Sequence, residues 1–126
     1  GYSKAIDGAL TVAKLDKRDV KIVKTHGTGT DANNKAEKAA LLRSLDEFVA
    51  TSYKPRIGHT LSASGLLETG LLLNDLERGI VPQILNRTEA DDVFLSYDAP
   101  APQGPFLSLA AGMGNIYSAA LFSTEV

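Results

Sequence analysis

Along this chain the spacing of apolar residues switches repeatedly between a helical and an extended pattern, and that switching is what most narrows the choice of fold. From residue 2 to 15, Ala5, Ile6, Ala9, Leu10 and Ala13 recur at helical spacing, with Ser3, Lys4, Asp7 and Lys14 on the other side, which predicts an amphipathic helix. After a polar turn at Asp16 to Asp19, the run Val20-Lys21-Ile22-Val23-Lys24-Thr25 is rich in β-branched residues and stops at His26-Gly27. It predicts a strand that delivers a histidine to a loop.

The pattern then repeats. A second helix is predicted from about Asn33 to Leu45, with Ala36, Ala39, Ala40 and Leu41 or Leu42 as its apolar stripe and Asn33 or Asn34 capping its first turn. Glu47 to Ser52 reads as a short strand that leads through Lys54-Pro55-Arg56-Ile57-Gly58 to His59, again a histidine beside glycine. A third helix, from Ser62 or Ser64 to Leu76, carries leucines around much of its circumference, so a buried, central helix is expected.

Beyond it, Gly79 to Asn86 with Pro82 predicts an irregular or edge segment, Arg87 to Asp92 a loop, and the Pro-rich stretch Ala99 to Pro105 a surface turn. Phe106 to Ala111 and Ile116 to Phe122 predict a terminal hairpin joined by Gly112-Met113-Gly114-Asn115. Helix, strand, helix, strand, helix and hairpin together predict a mixed α/β layout in which right-handed crossovers lay helices over a sheet.

Composition sets the outer bounds. A length of 126 residues with 44% hydrophobic and 22% charged side chains suits one folded domain, residues 1–126, and not a disordered chain. Thirteen basic against 15 acidic side chains, a net charge of -2, leave no basic stripe for nucleic acid. No apolar run reaches the roughly 20 residues a bilayer span needs, and no leader pattern opens the chain, so a cytoplasmic setting is expected. The chain opens on Gly1 instead of methionine, as a fragment would. Cysteine is absent, which removes disulfides, thiolate metal sites and a cysteine nucleophile.

Chemistry therefore falls to the two histidines, each placed where a strand pattern meets glycine. Strand ends in α/β folds are where ligands bind, and neighbouring glycines let a substrate approach the backbone. A single loop histidine is more often a solvated or packing residue than a functional one. With no HxxxH or HExxH spacing the pair lacks a metal signature, and Gly27-Thr28-Gly29-Thr30 lacks the Gly-Lys-Ser/Thr of a phosphate loop.

Three features occur together: Val23-Lys24-Thr25-His26-Gly27-Thr28-Gly29-Thr30, Glu37 eleven positions after His26, and Lys54-x-x-x-Gly58-His59-Thr60-x-x-Ala63-Ser64-Gly65. In combination they resemble the signature of the β-ketoacyl synthases, condensing enzymes of the thiolase superfamily. The resemblance extends over almost the whole chain and corresponds to the C-terminal lobe. It implies a thiolase-like half, a mixed sheet covered by helices with a terminal hairpin, whose third helix packs on its equivalent in an N-terminal lobe. An isolated half would expose that apolar face.

The resemblance further implies that His26 and His59 hold a malonyl thioester, that Lys54 pairs with Glu37 beside them, and that Thr28 and Thr30 bind pantetheine amides. The family's reaction is decarboxylative Claisen condensation of an acyl group with malonyl-acyl carrier protein, in fatty-acid or polyketide synthesis. It needs no metal and no cofactor, since substrates arrive on the carrier's phosphopantetheine. Implied partners are acyl carrier protein, the cysteine-bearing N-terminal lobe, and a second subunit in a homo- or heterodimer. Two departures stand out. Asn34 replaces the usual aspartate eight residues after the first histidine, and Leu109-Ala110-Ala111-Gly112-Met113-Gly114-Asn115 replaces Phe-Gly-Phe-Gly-Gly-x-Asn, removing the aromatic gate. They leave open the alternative of a non-catalytic homologue resembling a chain-length factor.

Overall fold

A computed structural model describes residues 1–28, 30–60, 63–84 and 94–123. The loop expected over Arg87 to Asp92 lies outside them. In chain order the elements are α1 (Tyr2–Ala13), β1 (Ile22–Lys24), α2 (Asp31–Ser44), β2 (Val49–Thr51), α3 (Lys54–Ile57), α4 (Ser64–Glu77), β3 (Ile80–Val81), β4 (Ala99–Pro100), β5 (Phe106–Gly112) and β6 (Ile116–Phe122). Four strands form one sheet in the order β2-β1-β5-β6. β1 runs parallel to both β2 and β5, and β6 returns antiparallel to β5.

The period of two along the strands sorts the core into two layers. Val23, Leu107 and Leu109 face α1 and α2, where they meet Ile6, Leu10, Ala40 and Leu41. Ile22 and Phe106, the alternate positions, pack with Leu72 of α4 and Val81 of β3 on the other side. Ile6, Leu41, Leu72 and Leu107 are completely buried, and each such side chain contributes about 1.5–3 kcal/mol relative to exposure.

Several expectations are corrected. α2 starts at Asp31, capped by the Thr30 hydroxyl, which accepts from Asn33 N–H; neither Asn33 nor Asn34 is the cap. Its buried face holds Glu37, Ala40, Leu41 and Ser44, while Ala36 and Ala39 are exposed, as is Leu42 at 54%. The stripe is rotated because Glu37 has backbone partners to satisfy inside the protein. α4 is buried along one face only, through Ser64, Glu68, Thr69 and Leu72, whereas Leu66 is 83% exposed. The expected surface turn at Ala99 begins as strand β4, paired with β3.

The hairpin matches its expectation closely. Gly112 pairs with Ile116 across a tight turn, in which Gly114 and Asn115 both take positive φ. Among the described residues no helix is long and apolar enough to cross a membrane.

Candidate active site

Because β1, β2 and β5 are mutually parallel, their carboxyl ends share one edge of the sheet, and the chain there supplies the site. His26 lies two residues beyond β1, in a loop whose turn requires Gly27 at φ +57°. A Cβ on Gly27 would also collide with the Ser52 hydroxyl. The second histidine is not handed directly from its strand. Tyr53 leads into the single turn α3, with Pro55 in its first turn, and Gly58 at φ +75° ends that turn and redirects the chain to His59. Proline at a helix start and glycine just past its end are the signals that mark such a turn.

The two imidazoles lie edge to face, their centroids 5.7 Å apart at an interplanar angle of 82°. Both line a cavity of about 670 Å³ walled also by Asn33, Ser64 and the hairpin residues Ala111 and Met113. His26 is buried, whereas His59 is exposed to the cavity. The Ala111 N–H donates to His26 Nδ1 at 3.2 Å. In the neutral ring this assigns the proton to Nε2, leaving an Nε2–H donor. Burial, followed by the charges of Lys54, Lys24 and His59, holds the His26 imidazole down to about 4, so it is neutral at physiological pH.

Glu37 anchors the loop from beneath. Its carboxylate accepts from the backbone N–H groups of His26 (2.7 Å) and Gly27 (2.8 Å) and from Asn33 Nδ2 (2.8 Å). Asn33 in turn accepts from the Tyr2 hydroxyl at 2.8 Å, tying α1 to the histidine loop. Burial pushes the Glu37 carboxyl up, against the opposing pull of those backbone donors.

The expected Lys54–Glu37 ion pair is replaced by another. Lys54 Nζ lies 2.9 Å from Glu68 Oε2 and also donates to the His26 carbonyl. Glu37 is committed to backbone N–H groups, and it is α4, packed on the opposite face of the sheet, that brings a carboxylate to Lys54. Lys24, fully buried at the end of β1, reaches the same Glu68 at 3.2 Å. Two ammonium groups thus share one carboxylate. Burial lowers the Lys24 pKa, opposed chiefly by Glu68.

Thr28 and Thr30 are exposed, and their hydroxyls lie 3.4 Å apart. Thr30 is engaged as the cap of α2, and neither threonine lines the cavity, nor do Lys54 and Glu37. The residues that sequence reasoning overlooked are Lys24, Glu68 and Ala111. Glu68 shares the helical phase of Leu72, four residues on, and Lys24 interrupts a β-branched run; both are signals of a charge inside a core. Ala111 acts through its backbone, which leaves no trace in residue type.

Comparison with known proteins decides the family. Residues 1–88 match the family described as "Beta-ketoacyl synthase, C-terminal domain". This chain belongs to that family. A "Putative polyketide beta-ketoacyl synthase 1" of Streptomyces halstedii is 33% identical over 130 aligned residues, covering 96% of this chain and 31% of that protein. The crystal structure of a β-ketoacyl synthase from Burkholderia phymatum superposes with a TM-score of 0.91 at 30% identity, over 98% of this chain and 32% of that one. A ketosynthase/chain length factor structure, that of ishigamide, gives 0.84 at 26% identity, over 99% and 33%. The fold is accordingly the thiolase-like α/β arrangement of ketosynthases, and the chain spans about a third of the length of these relatives.

Proposed function

We propose that this ketosynthase domain supplies the histidine half of a decarboxylative Claisen condensation, joining an acyl group to a malonyl unit carried on the phosphopantetheine of acyl carrier protein. The observation that carries the reading is the His26 ring, turned by Ala111 N–H so that its Nε2–H is free to donate, beside His59 at the same cavity. As the bond between the malonyl α-carbon and its carboxylate breaks, CO₂ leaves and the electron pair becomes an enolate on the thioester oxygen. Two imidazole donors aimed at that oxygen stabilise the charge where it develops.

Lys54, held by Glu68, fixes the His26 backbone through its carbonyl, and Glu37 fixes the same loop through its N–H groups. Thr28 and Thr30 stand on the exposed loop, where pantetheine amides would pass. The acyl group requires a cysteine nucleophile from an N-terminal lobe, because this chain has none. The synthase works in the cytoplasm with acyl carrier protein, as a homo- or heterodimer, and the relatives favour polyketide over fatty-acid synthesis.

The test is to incubate the chain with acyl- and malonyl-carrier substrates, alone and with the cysteine-bearing lobe, and to follow CO₂ release and β-ketoacyl product by mass spectrometry. Product is expected only from the mixture. In the mixture His59→Ala lowers decarboxylation by about 100-fold, the value of one oxyanion donor, and Lys54→Ala lowers kcat more than it raises KM. Rates unchanged by both His26→Ala and His59→Ala would overturn the reading in favour of a chain-length-factor-like subunit.

A further inference from the structure

Lys24 is among the largest fully buried side chains of the described residues, sits two residues before His26, and has no part in the function proposed above. Among the described residues its side chain pairs with Glu68 Oε1 at 3.2 Å, an atom that also lies 3.2 Å from Lys54 Nζ. Three charged groups are in contact, two positive and one negative, so this cluster by itself carries one surplus positive charge, while the other buried carboxylate nearby, Glu37, is bonded to the N–H groups of the histidine loop. Burying an unbalanced charge is costly, and an apolar residue facing α4 at this position would serve the core better. Such a cost is retained where the charge has a task.

We propose that Lys24 is a positioning residue for the histidine pair: with Lys54 it brackets Glu68 and sets a surplus positive charge behind His26, keeping the imidazole a neutral donor and drawing negative charge to the thioester oxygen. The ionisable groups around it are His26 on its own loop, Lys54 on α3, Glu68 on α4 and Glu37 on α2, and His26 in turn faces His59 beyond Gly58. Glu37 spends its oxygens on the N–H groups of His26 and Gly27 and on Asn33, leaving Glu68 as the carboxylate in contact with the two ammoniums.

The geometry bears on the reaction in a specific way. During decarboxylation the substrate's total charge is unchanged: one negative charge leaves the carboxylate with the breaking bond and reappears on the thioester oxygen. A positive charge behind the ring that bonds that oxygen favours the place to which the charge moves, and therefore acts on kcat. The catalytic half of the inference rests on the proposed function, whereas the effect on His26 does not.

The experiment has two arms. In the full chain the two histidines are followed by side-chain NMR against pH, with His59→Gln assigning the signals. Lys24→Met is expected to fold and to raise the His26 midpoint from about 4 by about one unit, while Lys24→Arg leaves it in place. In the mixture with the cysteine-bearing lobe, Lys24→Met lowers malonyl decarboxylation by about tenfold in kcat, with KM unchanged. An unmoved midpoint in folded Lys24→Met overturns the proposal, as does loss of the fold in both Lys24→Met and Lys24→Gln, which would make the lysine structural. If Lys24→Met changes nothing in kcat while His59→Ala abolishes decarboxylation, the inference falls and the proposed function stands. If the histidine substitutions are silent, it is the function that fails.

Discussion

Replacing Glu68 with glutamine keeps the shape of the side chain and removes the one negative charge that two buried lysines share. Lys24 and Glu68 have no exposed side-chain surface and Lys54 only 5%, so water cannot take over the lost interaction. Removing one partner of a buried pair costs about 3–5 kcal/mol, which in a domain of this size lowers Tm by about 10–20 °C. The cost should depend on pH in a defined direction. With no carboxylate beside it, the folded-state pKa of Lys24, already lowered by burial, falls further below its unfolded value, so unfolding takes up protons. Stability is then lost at neutral pH and recovers as pH rises towards about 10. Urea unfolding followed by far-ultraviolet circular dichroism at several pH values reads both effects. Adding Lys24→Met and Lys54→Met to Glu68→Gln, which removes all three charges, should return stability to within about 1 kcal/mol of the starting protein. A Glu68→Gln chain within about 1 kcal/mol of the original at pH 7 would refute the claim that this carboxylate balances the buried lysines.

Two further outcomes follow from the histidine loop. Gly27→Ala introduces a Cβ at φ +57° against the Ser52 hydroxyl and should cost about 1–3 kcal/mol in urea unfolding, part of which Ser52→Gly restores. His26 is held at about 4 in the folded state against an ordinary value of 6.5, so the unfolded chain binds its proton first and stability falls as pH drops through that window. His26→Gln should flatten this acid limb, measured as the urea midpoint between pH 7 and pH 4; an equally steep limb would assign it to other groups.

Elements whose apolar residues face one layer were legible in the sequence. α1 announces itself through Ile6 and Leu10, and the hairpin through two apolar runs about a glycine turn. His26 and His59 were legible because glycine must flank them. What stayed hidden has one physical cause: periodicity records what is apolar, not what is buried. Glu37 displaced the stripe of α2 because a carboxylate satisfied by two backbone N–H groups can be buried as completely as a leucine. The leucines of α4 divide, Leu72 being buried and Leu66 and Leu67 exposed, and spacing alone does not say which of them this chain covers. The true partner of Lys54 lies fourteen residues away on another element, and that of Lys24 forty-four, separations no local pattern encodes.

The hydrogen bond from Ala111 to His26 joins residues 85 positions apart. A ribosome completes the histidine loop, the cluster of Lys24, Lys54 and Glu68, and the two parallel neighbours of β1 at different times, and β5 is the last of these to be made. Until β5 slides in beside β1, the His26 ring has neither its backbone donor nor its wall, and a nascent chain carries both histidines without a site. Vectorial synthesis therefore withholds the arrangement of the histidine pair until the final hairpin docks, so that a product truncated before Phe106 would hold both histidines but lack the N–H group that orients the His26 ring.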